Sequence, residues 1–127
     1  MRLSTTRAAL GTALLLIVFS GCGGDAAQEA AQRTGGDSQR GRQHMLKYGC
    51  ASCHVIPGVE GARGMVGPSL EGIASRTYLG GKLPNTPENM TLWVRDPQSV
   101  SPGTAMPNLG VTEEDGRDMV AYLYTLK

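Results

Sequence analysis

The residues whose types and spacing carry chemistry are Cys50, Cys53 and His54, in the run Cys50-Ala51-Ser52-Cys53-His54. Cys-x-x-Cys-His is the attachment pattern of a c-type haem. The two thiols add across the two vinyl groups of the porphyrin, and the adjacent imidazole ligates the iron. The spacer sets the sulfurs far enough apart to meet both vinyls and turns the next residue beneath the ring. Two other chemistries share the Cys-x-x-Cys half. A thioredoxin-like redox pair belongs on a strand–turn–helix within an alternating βαβ pattern, and none is visible. A zinc site needs further ligands, and the chain offers only Cys22 and His44 besides the motif.

An iron held by one imidazole is open on its other side or closed by a second ligand. Met106 is the candidate for closing it. It lies in Pro102-Gly103-Thr104-Ala105-Met106-Pro107, a Pro-bracketed stretch suited to holding a sulfur at a fixed height. The alternative for any Met is core filling. Met45 and Met119 fall on helix faces expected to pack together, Met90 sits early in a helix, and Met65 follows His54 closely.

The chain has 127 residues, with 12 Lys plus Arg and 11 Asp plus Glu. Arg2 and Arg7 precede an apolar run from Ala8 to Phe19, followed by small residues, which is the plan of a signal peptide over residues 1–21. The run is short for a permanent span, which needs about 20 apolar residues. An uncleaved short anchor is the other reading. The segment Phe19-Ser20-Gly21-Cys22 resembles the lipobox of bacterial lipoproteins, with Phe19 where Leu is usual. The resemblance implies lipid on Cys22 at a new N-terminus. Three cysteines are an odd count, and lipid on one with haem on two uses them all. Both modifications point to the outer face of the cytoplasmic membrane or the periplasm. No basic stripe suggests nucleic acid, and lysine is confined to Lys47, Lys82 and Lys127.

Residues 22–38 hold no large apolar side chain, so a flexible tether is expected, with nothing on it to dock. The folded domain is expected over 39–127, all-α with long connections. Asp37 or Ser38 caps a first helix over Gln39–Tyr48 that ends at Gly49, with Gly41 and Met45 sharing one face. Thr86-Pro87-Glu88 starts a second helix, to about Arg95. Thr112, followed by three acids, starts the last, to about Leu126, with Met119, Val120, Leu123 and Leu126 as its apolar stripe. Residues 55–63 and 99–109 read as loops, and no stretch alternates long enough to claim a sheet. With one Trp in the domain, and the chain's single Phe at position 19 outside it, the core is thin, and a covalent haem would supply its apolar centre.

Over nearly all of 41–127 the domain resembles class I cytochromes c. The matching residues are Gly41, Met45 (usually aromatic there), the Cys50–His54 motif, Gly67-Pro68-Ser69-Leu70, Pro97, Pro102-Gly103, Met106-Pro107 and Ala121-Tyr122-Leu123. More narrowly, Leu83 to Met90, Trp93, Asp96-Pro97-Gln98 and Met106 to Gly110 are similar to the cytochrome c domain fused to subunit II of some bacterial haem–copper oxidases; no copper-binding domain accompanies it here. The resemblance implies that the Pro68 carbonyl accepts a hydrogen bond from His54, that Leu70 packs on the haem, and that Trp93 lies close to the Met ligand. It also implies that Arg76, Tyr78 and Asn85 reach the propionates.

Three functions follow as expectations. The first is a lipid-anchored mono-haem carrier with His54 and Met106 both on the iron. It passes single electrons from a quinol:cytochrome c reductase or similar donor towards a terminal oxidase, and is not an enzyme. The second is a haem subunit fixed in a respiratory complex. The third is a ligand-binding or sensor haem protein, which requires an open sixth position.

Overall fold

The computed structural model describes residues 23–127, and Cys22 with the expected signal peptide lies outside them. The architecture is all-α. Five helices are present among the described residues: α1 (Gly23–Thr34), α2 (Ser38–Lys47), α3 (Pro87–Arg95), α4 (Pro97–Val100) and α5 (Glu113–Leu123).

The helix starts follow from capping. Asp37 accepts from the amides of Gln39 and Arg40, both at 2.9 Å, and so satisfies first-turn donors of α2. Thr86 does the same for Asn89 in α3, and Thr112 for Asp115 in α5. The frame of the domain is the crossing of α2 and α5. Gly41 lies so close to the Asp118 carbonyl that a Cβ there would overlap it. Hydrogen at that position lets the helices approach, and Met45, Met119 and Val120 fill the seam below.

The edge of the seam is polar. Asp118, 2% exposed, accepts from Arg40 Nε at 2.7 Å and from the Asp37 amide at 2.7 Å. Burial works to raise its pKa, but these donors and the Arg40 charge outweigh it and leave it below the ordinary carboxylate range. One turn away, Lys47 Nζ at 2.8 Å and the Tyr48 hydroxyl at 2.7 Å hold the Asp115 carboxyl down to about 2.

Two expectations are corrected. Residues 23–34 form a docked helix, whereas a tether was expected there. Ala30 is 1% exposed against the domain, Lys127 pairs with Glu29 at 2.6 Å, and the Arg33 guanidinium stands 4.4 Å over the Tyr124 ring. Small side chains are what a close helix contact requires, so their lack of bulk does not forbid docking. The second correction is a hairpin pairing β1 (Tyr78–Leu79) with β2 (Leu83–Pro84). Two-residue strands are too short to show a period of two. In addition, α5 ends at Leu123 rather than near Leu126, and α4 occupies the start of an expected loop.

Candidate functional site

Gly49, at φ 76°, ends α2 in a left-handed conformation open to glycine and turns the chain directly into the motif. Cys50–Ser52 form one 3₁₀ turn, in which the Cys50 carbonyl accepts from the amides of both Cys53, at 3.2 Å, and His54, at 3.0 Å. That turn brings both thiols and the imidazole to one wall of a cavity. The thiols are not joined to each other, and burial pushes the Cys50 thiol up. A redox-active thiol of the thioredoxin kind is shifted the other way.

His54 Nδ1 lies 2.7 Å from the Pro68 carbonyl oxygen. A carbonyl only accepts, so Nδ1 carries the proton and Nε2 keeps its lone pair for a metal. The segment that supplies the carbonyl is pinned by main-chain bonds: Gly67 N donates to Cys53 O at 2.8 Å, and Leu70 N to Val55 O at 2.9 Å. A Cβ at Gly67 would fall on the His54 ring, so glycine gives the ring its room.

The cavity measures about 600 Å³, within the range of sites that enclose an organic cofactor. Its walls bring together Cys50, Cys53, His54, Pro68, Leu70, Trp93 and Met106, each expected at the haem. Met106 comes from the irregular segment between α4 and α5, a different wall from the motif. Met45, Met90 and Met119 also reach the cavity, from helices where each is 1% exposed, while Met65 is 86% exposed and outside it. Arg76 and Tyr78 line the cavity too, and Arg76 is its one charged side chain; no carboxylate or amine lines it.

Asn85 is corrected. It does not line the cavity; its side-chain amide donates to Ile73 O at 2.9 Å and Arg76 O at 2.8 Å, fastening the segment that carries Arg76. His44 also lies elsewhere, on the acidic seam 3.5 Å from Asp115 and 3.7 Å from Asp118.

Gln98 was missed as a site residue. Its side chain bonds three main-chain groups of the segment that carries Met106, and its presence in Asp96-Pro97-Gln98 was the only signal in the sequence. Among the described residues no group of three or more His, Cys, Asp and Glu is placed to hold a bare metal ion. A largely apolar cavity, two free thiols on one wall and an imidazole with Nε2 free together fit a covalently attached haem.

Comparison with known proteins gives a match of the Cytochrome c family model to residues 38–127. Cytochrome c oxidase subunit 2 of Alkalihalophilus pseudofirmus is 36% identical over 91 residues, covering 71% of this chain and 26% of that protein. The same subunit of Bacillus sp. strain PS3 is 33% identical over 82 residues, covering 61% of this chain and 23% of its own length. Cytochrome c2 of Rhodoblastus acidophilus is 35% identical over 105 residues, covering 72% of this chain and 94% of its own. The chain thus spans about a quarter of the oxidase subunits and nearly the whole of the cytochrome c2.

Proposed function

This chain belongs to the cytochrome c family, and on that premise we propose that it carries single electrons in a respiratory chain, towards a terminal oxidase, while held to the membrane by lipid on Cys22. It is a haem electron carrier with haem c attached through Cys50 and Cys53.

Haem iron, when bound, supplies a one-electron couple. The residues of this chain set the terms on which that couple works. His54 offers Nε2, and the hydrogen bond from its Nδ1 to Pro68 fixes the ring and makes it a stronger ligand. Met106 offers a thioether, which favours the ferrous state and raises the potential. His54 and Met106 would together hold the iron, which would leave a substrate no open place on it. Leu70 and Trp93, with the buried Ile73, keep the surroundings dry. Arg76 is the one charged side chain of the lining, and the other walls hold and orient the group they enclose.

At the mouth stand Val66, 72% exposed, and Tyr78, 59% exposed. Brief apolar contact there suits a redox partner, and the absence of lysine from the cavity lining makes electrostatic docking a minor part of it. The likeness to oxidase subunits supports oxidase as acceptor, and a quinol:cytochrome c reductase or similar enzyme suits the donor side. It equally supports a second reading, a haem subunit fixed in the complex. Survival of the oxidase association through detergent and high salt separates the second from the first.

The single observation that carries the proposal is that Met106 stands in the same cavity as Cys50, Cys53 and His54. A lipid on Cys22 would keep encounters at the outer face of the cytoplasmic membrane and raise their effective concentration. Stable anchoring takes more than one acyl chain. The test is intact mass with an optical spectrum of membrane-derived protein. One haem, several acyl chains and an axial thioether signature are expected. An unmodified Cys22 retaining residues 1–21 overturns the lipid anchor.

A further inference from the structure

We propose that Gln98 is the positioning residue that sets Met106 at the iron, its side-chain amide clamping the loop that carries the sulfur; this rests on the reading of Met106 as second ligand. Gln98 Nε2 donates to Thr104 O at 2.9 Å and to Met106 O at 2.8 Å, and its Oε1 accepts from Gly103 N at 3.1 Å. A primary amide presents two donors and an acceptor in one plane. The loop presents two carbonyls and one N–H to meet them. A carboxylate could keep only the acceptor, an amine or guanidinium only the donors.

The loop has little else to hold it. Among the described residues, no main-chain to main-chain hydrogen bond involves residues 105–111. Upstream, Thr104 N donates to Ser101 O at 3.0 Å. The remaining ties are side chains again, and one of them is Arg95 Nε, which donates to Val111 O at 3.4 Å. Asn108 Oδ1 accepts from Gln98 N at 3.3 Å, Asn108 Nδ2 donates to Asp96 Oδ1 at 2.8 Å, and that same carboxylate oxygen caps Ser99 N at 3.2 Å. Gln98 is fixed by its place in α4, after the buried Pro97, so the clamp is anchored on a structured element. Met106 N meets only Thr104 Oγ1, at 3.5 Å. The height of the sulfur is thus set from the carbonyl side of its own residue, by Gln98.

The experiment uses the haem-loaded protein, wild type and the variants Gln98→Ala, Gln98→Glu, Met106→Ala and Asp118→Asn. Three quantities are read: carbon monoxide affinity of the reduced form, reduction potential, and amide exchange at Gly103. Gln98→Ala is expected to raise carbon monoxide affinity and Gly103 exchange about tenfold each, and to lower the potential. Each tenfold difference in loop closure between oxidation states reads as about 59 mV. Gln98→Glu is expected to open the site equally while leaving Gly103 protected, because the carboxylate still accepts that bond. Asp118→Asn, at the polar edge of the α2–α5 seam and outside the cavity lining, lowers stability and moves none of the three. Wild-type affinity and potential in both Gln98 variants, beside a Met106→Ala protein that binds carbon monoxide, overturn the role of Gln98 alone. A Met106→Ala protein with unchanged affinity overturns the ligand assignment beneath it.

Discussion

The cavity has two walls built by different means. The motif wall, Gly49 to Leu70, is knit by the main chain: Cys50 O receives two amides, and Gly67 and Leu70 donate back to Cys53 and Val55. Even the bond that orients His54 ends on a main-chain carbonyl, that of Pro68. Among the described residues, the Met106 wall has no main-chain to main-chain bond from 105 to 111 and is held by side chains, those of Asp96, Gln98 and Asn108 foremost. The difference teaches where each wall is vulnerable. Main-chain bonds survive most substitutions, so the attachment wall fails only where backbone approach is at issue. Side-chain bonds vanish with one residue, so the Met106 wall can be released singly while the haem stays tied on.

The largest effect should come from the loop. Met106→Ala is expected to turn the reduced protein from one that resists carbon monoxide into one that binds it readily, with a lower potential and unchanged haem content. Mass and ligand titration together check this. A variant that loses haem instead would show that the walls are not separable. Next comes the one soft point of the motif wall. Gly67→Ala places a methyl on the His54 ring, and overpacking of this kind costs about 2 kcal/mol, or roughly 10 °C in melting temperature. If thermal melting finds Gly67→Ala near wild type, the ring has more freedom than the close contact allows.

Acid should strike the α2–α5 seam and, on the Met106 wall, Asp96, whose carboxyl is held below the ordinary range by the Asn108 side chain and the Ser99 amide. Asp115 sits at about 2 in the folded protein, through the Lys47 and Tyr48 hydrogen bonds, below the value near 3.9 of a free carboxylate. A lowered folded value means stability that is fully present above the unfolded pKa and lost as pH falls through the folded one. Asp118 is shifted in the same direction by its donors, against its burial. Stability is therefore expected to stay level from pH 7 to 5 on this account and to decline between about pH 4 and 2, followed by circular dichroism. Replacing Asp115 by Asn should flatten that decline. The smallest effect is expected from salt. The cavity lining carries one charge, Arg76, which donates to Ser69 O and Glu71 O, and the exposed Val66 and Tyr78 of the lining are uncharged. Electron transfer to a partner should change less than about threefold between 10 and 200 mM salt, a range over which screening shortens from about 30 to under 10 Å. A steep decline would point to charged docking elsewhere on the surface.

How far the molecule can be read from its residues follows the same division. The attachment motif is contiguous and backbone-organised, so five adjacent letters suffice for it. The starts of α3 and α5 are legible because a cap, a proline or a run of acids acts within one turn. The irregular, non-helical setting of Met106 is legible from the prolines around it, and the cavity wall is where that setting puts it. Gln98 and Asn85 are not, because each acts through carbonyls several residues away, and nothing local marks which carbonyls those are. Asn85 was assigned to the haem when it in fact supports Arg76. The docking of α1 escaped for a related reason. Composition measures what a segment can bury alone, whereas Ala30 is buried by a surface contributed from the other end of the chain.

The central claim is that His54 and Met106 together close the iron, leaving a site that moves electrons and binds no substrate. Carbon monoxide titration of the reduced wild-type protein at neutral pH tests it most directly. Weak, slow binding that becomes fast and tight on Met106→Ala is the predicted result. Rapid, tight binding by the wild-type protein would contradict it.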